Sequence, residues 1–152
     1  VRVEFGRDPN AVRRILQALP EWFGDPVAIE NYADAALDEV FDSFLAVEDG
    51  TTVAVALVQR HFPESAELHL IAVAPGSRHR GIGRQLVDHL AKELADDGYL
   101  TAHTVAASCD NKAYAHTRAF YRQVGFTPLE EHNDLDWPGP TVILVRSLPA
   151  ST

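Results

Sequence analysis

The sequence predicts an α/β fold: a mixed, mostly antiparallel central sheet of about seven strands with helices on both faces. Three observations predict it. The middle of the chain, residues 67–108, reads strand–helix–strand. A helix-length crossover returns the chain in the same direction, so these two strands form a parallel pair. Asp49-Gly50 joins two apolar, β-rich runs and marks an antiparallel hairpin. Two further strands close the chain and imply a second antiparallel pair. The full order is β-α-α-β-β-β-α-β-α-β-β.

Each element has its own local cause. Val1–Phe5 is a short opening strand. Asp8-Pro9 starts a helix whose apolar residues Val12, Ile15, Leu16 and Leu19 recur at helical spacing, and Pro20 stops it. Asp25-Pro26 repeats the start signal, an N-cap followed by proline at the first helical position. Ile29, Tyr32, Ala33, Ala36 and Leu37 continue the apolar face of that helix. "SFLAVE" and "TVAVALVQR" are the hairpin strands, and "ELHLIAV" alternates as the next one. Pro75-Gly76 ends it. From about Gly81, Ile82, Leu86, Val87, Leu90 and Leu94 mark a helix, with Gly98 placed as a left-handed C-cap. "YLTAHTVAAS" is a strand and "NKAYAHTRAFYRQVG" a helix closed by Gly125. Strands near Phe126–His132 and Thr141–Leu148 flank the loop "NDLDWPGP".

The chain has 152 residues, enough for one domain spanning 1–152 with a sizeable core. Apolar residues make up 46% and charged residues 23%, the balance of an ordinary globular protein. No apolar run approaches the ~20 residues of a membrane span, and residues 1–20 do not read as a signal peptide. One cysteine, Cys109, cannot form an internal disulfide, so a cytoplasmic setting is expected. The seven histidines lack paired metal spacing, and no metal is expected. A net charge of −9 disfavours nucleic acid as a partner and suits a cationic one.

Against that acidic background, "AVAPGSRHRGIGRQL" gathers Arg78, Arg80 and Arg84 around Gly81 and Gly83. The turn heads a helix, whose first N–H groups have no partner and whose end carries roughly half a positive charge. Glycines let an anion approach the backbone, and the arginines add full charges. The expected ligand is a di- or polyphosphate. A dinucleotide fingerprint would need a third glycine where Leu86 stands, and a P-loop would need Lys-Ser/Thr where Arg84-Gln85 stand. The pattern that fits is R-x-x-G-x-G between a strand and a helix. On "ELHLIAV", Glu67 and His69 lie two apart and share a face, the one opposite Leu68 and Leu70.

With "ELHLIAVAPGSRHRGIGRQL" followed by "TRAFYRQVGF", the chain resembles the GNAT superfamily of acetyl-CoA-dependent N-acetyltransferases over nearly its whole length. "LPEWFG" and the "PLEE…W" segment are similar to a set of bacterial members. The resemblance implies the GNAT fold and direct transfer of acetyl from acetyl-CoA to a primary amine. It places the cofactor against Ala72 and Val73, the turn residues Arg78, His79, Arg80, Gly81, Ile82, Gly83 and Arg84, and Asn111, Phe120 and Tyr121. Many members carry Asn where this chain has Tyr114, so Asn111 would have to substitute from a different position. Tyr121 matches the family's general acid. Glu67 or His69 would be the base, and a bulge in their strand would free a backbone N–H near Val73 for the thioester carbonyl. Trp22, Phe23, Glu67 and Trp137 would line the acceptor side, with Glu21, Asp134 and Asp136 nearby to suit a cationic amine. Cys109 has no activating partner in the sequence, which leaves direct transfer. The acceptor expected is a small molecule rather than a protein. The alternative is a catalytically silent acyl-CoA-binding sensor. Family members often dimerise, and the final hairpin would serve a homodimer.

Overall fold

A computed structural model describes residues 1–94, 98–109 and 111–148. Seven strands form one sheet: β1 (Arg2–Phe5), β2 (Phe41–Glu48), β3 (Thr51–Phe62), β4 (Ser65–Val73), β5 (Tyr99–Val105), β6 (Thr127–Asn133) and β7 (Pro140–Ser147). Their order is β1-β2-β3-β4-β5-β7-β6. Only β4 and β5 run parallel, joined through α3 (Ile82–Glu93), as the strand–helix–strand run predicts. The last hairpin pairs through β7, which inserts between β5 and β6, so β6 becomes an outer edge exposed along its length. Pro128, a bulge at Leu129 and the charges Glu130 and Glu131 blunt that edge against further pairing.

Both opening helices start as their Asp-Pro pairs dictate. Asp8 accepts a hydrogen bond from Ala11 N at 3.0 Å at the head of α1 (Pro9–Gln17), and Asp25 accepts one from Val27 N at 2.9 Å at the head of α2 (Pro26–Ala35). α2 is shorter than its apolar pattern suggests; it ends at Ala35, and Leu37 is exposed. The Asp49-Gly50 turn takes left-handed φ at both residues, 52° and 78°, as a tight hairpin of the primed type requires. α4 (Lys112–Gln123) ends at Gly125, whose φ of 99° closes the helix as expected.

Two clusters of buried residues sit on opposite faces of the sheet. Leu86, Val87 and Leu90 of α3 and Tyr121 of α4 pack on one face with Phe126 and Leu144. Val12, Ile15 and Leu16 of α1 and Ile29 of α2 pack on the other. β4 contributes to both, and this is where the alternation reading needs correcting. Ala66 and Leu68 belong to the α3/α4 face, whereas Leu70 and Ala72 belong to the α1/α2 face. The cause is a bulge. Leu57 of β3 pairs with Leu70 and Val58 with Leu68, which leaves His69 as an extra residue. One extra residue reverses the faces of everything beyond it.

Gly98 also serves another purpose than a helix cap. α3 closes at Leu94, and the intervening 95–97 lie outside the described residues. A Cβ at Gly98 would stand 2.1 Å from the Glu64 carbonyl oxygen. Around it, Tyr99 N donates to Glu64 O and Leu148 N donates to Gly98 O, each at 2.7 Å. Glycine lets the β3–β4 turn, the start of β5 and the end of β7 meet backbone to backbone.

Candidate active site

The His69 bulge also parts two strands. β4 and β5 pair from Ser65↔Tyr99 to Leu68↔Ala102 and no further. Beyond that point β4 stays on β3 while β5 stays on β7, so the edge of β4 over residues 69–73 has no strand partner. A wedge-shaped gap opens there, between the two parallel strands and at the head of α3.

At the mouth of the gap lies the arginine turn. His79 and Gly81 are both left-handed, with φ of 63° and 79°, immediately before the helix. Arg78 before them is extended, and the anion-binding potential of the turn comes from the first N–H groups of α3, which have no partner within the helix. Gly81 has open space where a Cβ would go, so its conformation is what demands glycine. Gly83 has a packing reason as well. A Cβ there would stand 2.9 Å from Phe120 Cε1, so its missing side chain lets α3 pack on an α4 ring. The arginines are not equivalent. Arg80 forks onto the Glu48 carboxylate, one N–H at 2.9 Å. Arg84 donates to Gln123 O at 2.9 Å. Arg78 lays its guanidinium over the Trp22 ring, 4.9 Å from the centroid.

Tyr121 of α4 is buried between Phe120 and Phe126 at centroid distances of 5.6 and 5.2 Å. Burial raises the pKa of its hydroxyl strongly, and the Tyr32 hydroxyl adds to the shift. A phenol held neutral in this way can donate a proton but does not readily exist as an anion. Asn111 Oδ1 caps α4 by accepting from Ala113 N at 3.1 Å, which gives this residue a structural task at the position considered for cofactor contact.

Glu67 and His69 do share a face, with His69 Nδ1 3.9 Å from Glu67 Oε2. A second imidazole, from His61, hydrogen-bonds Glu67 Oε1 at 2.8 Å. His61 is itself an extra residue in β3, between Arg60↔Ala66 and Phe62↔Ser65. The histidines hold the Glu67 carboxyl down at about 2, His69 contributing most and His61 and His103 adding to it, against the opposing effect of burial. His103 Nδ1 in turn meets Asp136 Oδ2 at 2.6 Å. Asp136 is delivered by the β6–β7 loop, which Asp134 closes by accepting from Gly139 N at 2.7 Å. In the same loop the Trp137 indole N–H is buried without a partner among the described residues.

The sequence reading did not single out Tyr32, whose ring stands beside the Glu67–His69 pair, 5.3 Å from His69 and 5.8 Å from Phe23. Burial raises the pKa of its hydroxyl, and Tyr114, Asp136 and Glu67 raise it further. A tyrosine on the apolar face of a helix, needing somewhere polar for its hydroxyl, was the available signal. Trp22 packs against the same cluster as Phe23 and Tyr32 and is also tied to α4. Its indole N–H donates to Ala113 O at 3.2 Å and Thr117 Oγ1 at 3.0 Å on α4, while its carbonyl accepts from the Tyr114 hydroxyl at 3.3 Å.

A family model described as an acetyltransferase (GNAT) domain matches residues 40–128, from the start of β2 through α4. The chain belongs to the GNAT acetyltransferase family. It is an acyltransferase with the GNAT fold. A Desulfovibrio desulfuricans protein assigned to that family superposes with a TM-score of 0.81 at 22% identity, covering 97% of this chain and 99% of its own. The ribosomal-protein-S18-alanine N-acetyltransferase of Escherichia coli gives 0.76 at 22% identity, covering 99% and 96%. An aminoglycoside 6′-N-acetyltransferase in complex with coenzyme A gives 0.75 at 16% identity, covering 100% and 99%. Among the described residues, no helix is long and apolar enough to cross a membrane.

Proposed function

We propose that this chain transfers the acetyl group of acetyl-CoA directly to a primary amine, carried by a small molecule rather than a protein. The observation that supports this best is the gap opened at His69. The gap begins at the head of α3 beside the arginine turn, and it opens next to the Glu67–His69 pair on β4. The residues suit acetyl-CoA: the first N–H groups of α3 and Arg78 for its phosphates, the unpaired edge of β4 for its amide-bearing arm. Solved relatives include one that carries coenzyme A and another that carries acetyl-CoA.

Three events complete the reaction. The amine loses a proton and attacks the thioester carbon. The carbon–nitrogen bond forms as the carbon–sulfur bond breaks. The leaving sulfur takes a proton, for which the neutral Tyr121 hydroxyl is the donor. Glu67 remains ionised down to about pH 2, which makes it a weak proton acceptor, so the cluster favours His69 as base and Glu67 as the carboxylate that orients it. Aromatic rings from Tyr32 and Phe41 beside His69, with Phe23 against Tyr32 and Asp136 close by, suit a cationic amine. The names of the relatives divide between a protein alanine and an aminoglycoside, and the acceptor here is to be found by experiment. Acetyl-CoA is incubated with polyamines, aminoglycosides, amino acids, arylalkylamines and short peptides, and products are read by mass beside Tyr121→Phe. An acetylated small amine, lost in the variant, is the expected result. Coenzyme A bound with no transfer to any amine would turn the reading into an acyl-CoA sensor.

A further inference from the structure

Arg78 makes no side-chain hydrogen bond among the described residues, whereas Arg80 forks onto Glu48 and Arg84 gives one N–H to Gln123 O. What Arg78 has is a platform. Its guanidinium lies over Trp22, and Trp22 is fixed from the far side of the gap, its N–H shared between Ala113 O and Thr117 Oγ1 of α4. A guanidinium held against an aromatic ring by a cation–π contact keeps N–H donors free for an anion. The indole therefore bridges the loop after β4 to the helix after β5, spanning the two sides that the His69 bulge has parted.

We propose that Trp22 is a positioning residue for the cofactor: it holds the Arg78 guanidinium ready for the phosphates of coenzyme A and straps the gap closed beside them. This rests on the reading of the gap as the coenzyme A site. Residues 91 and 95 positions apart are tied together by that strap, so an aromatic residue in the α1–α2 connection governs binding on α3. Acting only through Arg78, Trp22 has no effect of its own on phosphate recognition once Arg78 is gone.

The test is a double-mutant cycle in coenzyme A affinity, by calorimetry, on the whole chain. Trp22→Leu keeps apolar volume and removes the aromatic face; Arg78→Ala removes the cation. Trp22→Leu is expected to weaken binding by about threefold to thirtyfold, the range of a cation–π contact, and Arg78→Ala by at least as much. Together they are expected to cost little more than Arg78→Ala alone. Trp22→Phe, which keeps an aromatic face but loses the N–H that ties it to α4, is expected to restore only part of the affinity. Multiplying losses, or unchanged affinity in Trp22→Leu, would overturn the proposal while leaving the coenzyme A site standing. A native chain that does not bind coenzyme A would overturn both. If Trp22→Leu does not fold, Trp22→Phe goes through the same cycle with a smaller coupling expected, and a multiplicative result again overturns the proposal.

Discussion

Replacing Glu67 by Gln tests the electrostatics of the acceptor side through stability alone. The Glu67 side chain is only 19% exposed and lies 2.8 Å from His61 and 3.9 Å from His69. Those imidazoles hold its carboxyl at about 2 instead of the ordinary 4.5. A depressed carboxyl stabilises the fold above its unfolded-state pKa, and that contribution disappears as pH falls toward the folded-state value. The shift corresponds to about 3 kcal/mol, in full above roughly pH 4.5 and gone near pH 2. Between those limits the native chain should lose stability faster than Glu67→Gln by up to about 1.4 kcal/mol per pH unit. Urea denaturation of both proteins in half-unit steps from pH 6 to pH 3 reads this directly. Curves that stay parallel through that window would refute the claim that the histidines grip the carboxylate.

Three more outcomes follow from the geometry. Gly98→Ala drives a Cβ to 2.1 Å from a backbone oxygen that no rotamer change can move, so a loss of about 3 kcal/mol or more is expected in thermal unfolding; a melting point within two degrees or so of native would contradict the close approach. Tyr121→Phe should cut kcat at least about tenfold with KM for acetyl-CoA and melting temperature nearly unchanged, since only a hydroxyl is removed from a packed ring; full turnover would strip the residue of its acid role. Glu48→Gln releases Arg80 from its fork and should tighten coenzyme A binding, most visibly at low salt; weaker or unchanged affinity by calorimetry would show Arg80 to be a bystander.

What was legible in the sequence was what local chemistry decides. The Asp-Pro helix starts, the Asp49-Gly50 hairpin, the helix end at Gly125, and the parallel pair around α3 all depend on a few adjacent residues. The shared face of Glu67 and His69 was legible too, from strand alternation. Their relation to Leu70 was not. Ala66, Leu68, Leu70 and Ala72 alternate without a break in sequence, and only the register against Val58 and Leu57 reveals that His69 is extra. The site's remaining partners come from far along the chain. His103 and Asp136 are 33 positions apart and Trp22 and Thr117 are 95 apart, joined by the sheet order and by loops whose closure no periodicity reports. Gly83 shows the same limit in small form: the glycine was evident, but its packing reason, the Phe120 ring, belongs to another helix.

The most direct test of the account is a crystal structure of the chain with coenzyme A. The account predicts the pyrophosphate on the N–H groups at the head of α3 with Arg78 beside it, the arm along residues 69–73 of β4, and the sulfur at the Tyr121 hydroxyl. Coenzyme A bound outside the gap between β4 and β5, or with its sulfur turned away from Tyr121, would contradict it.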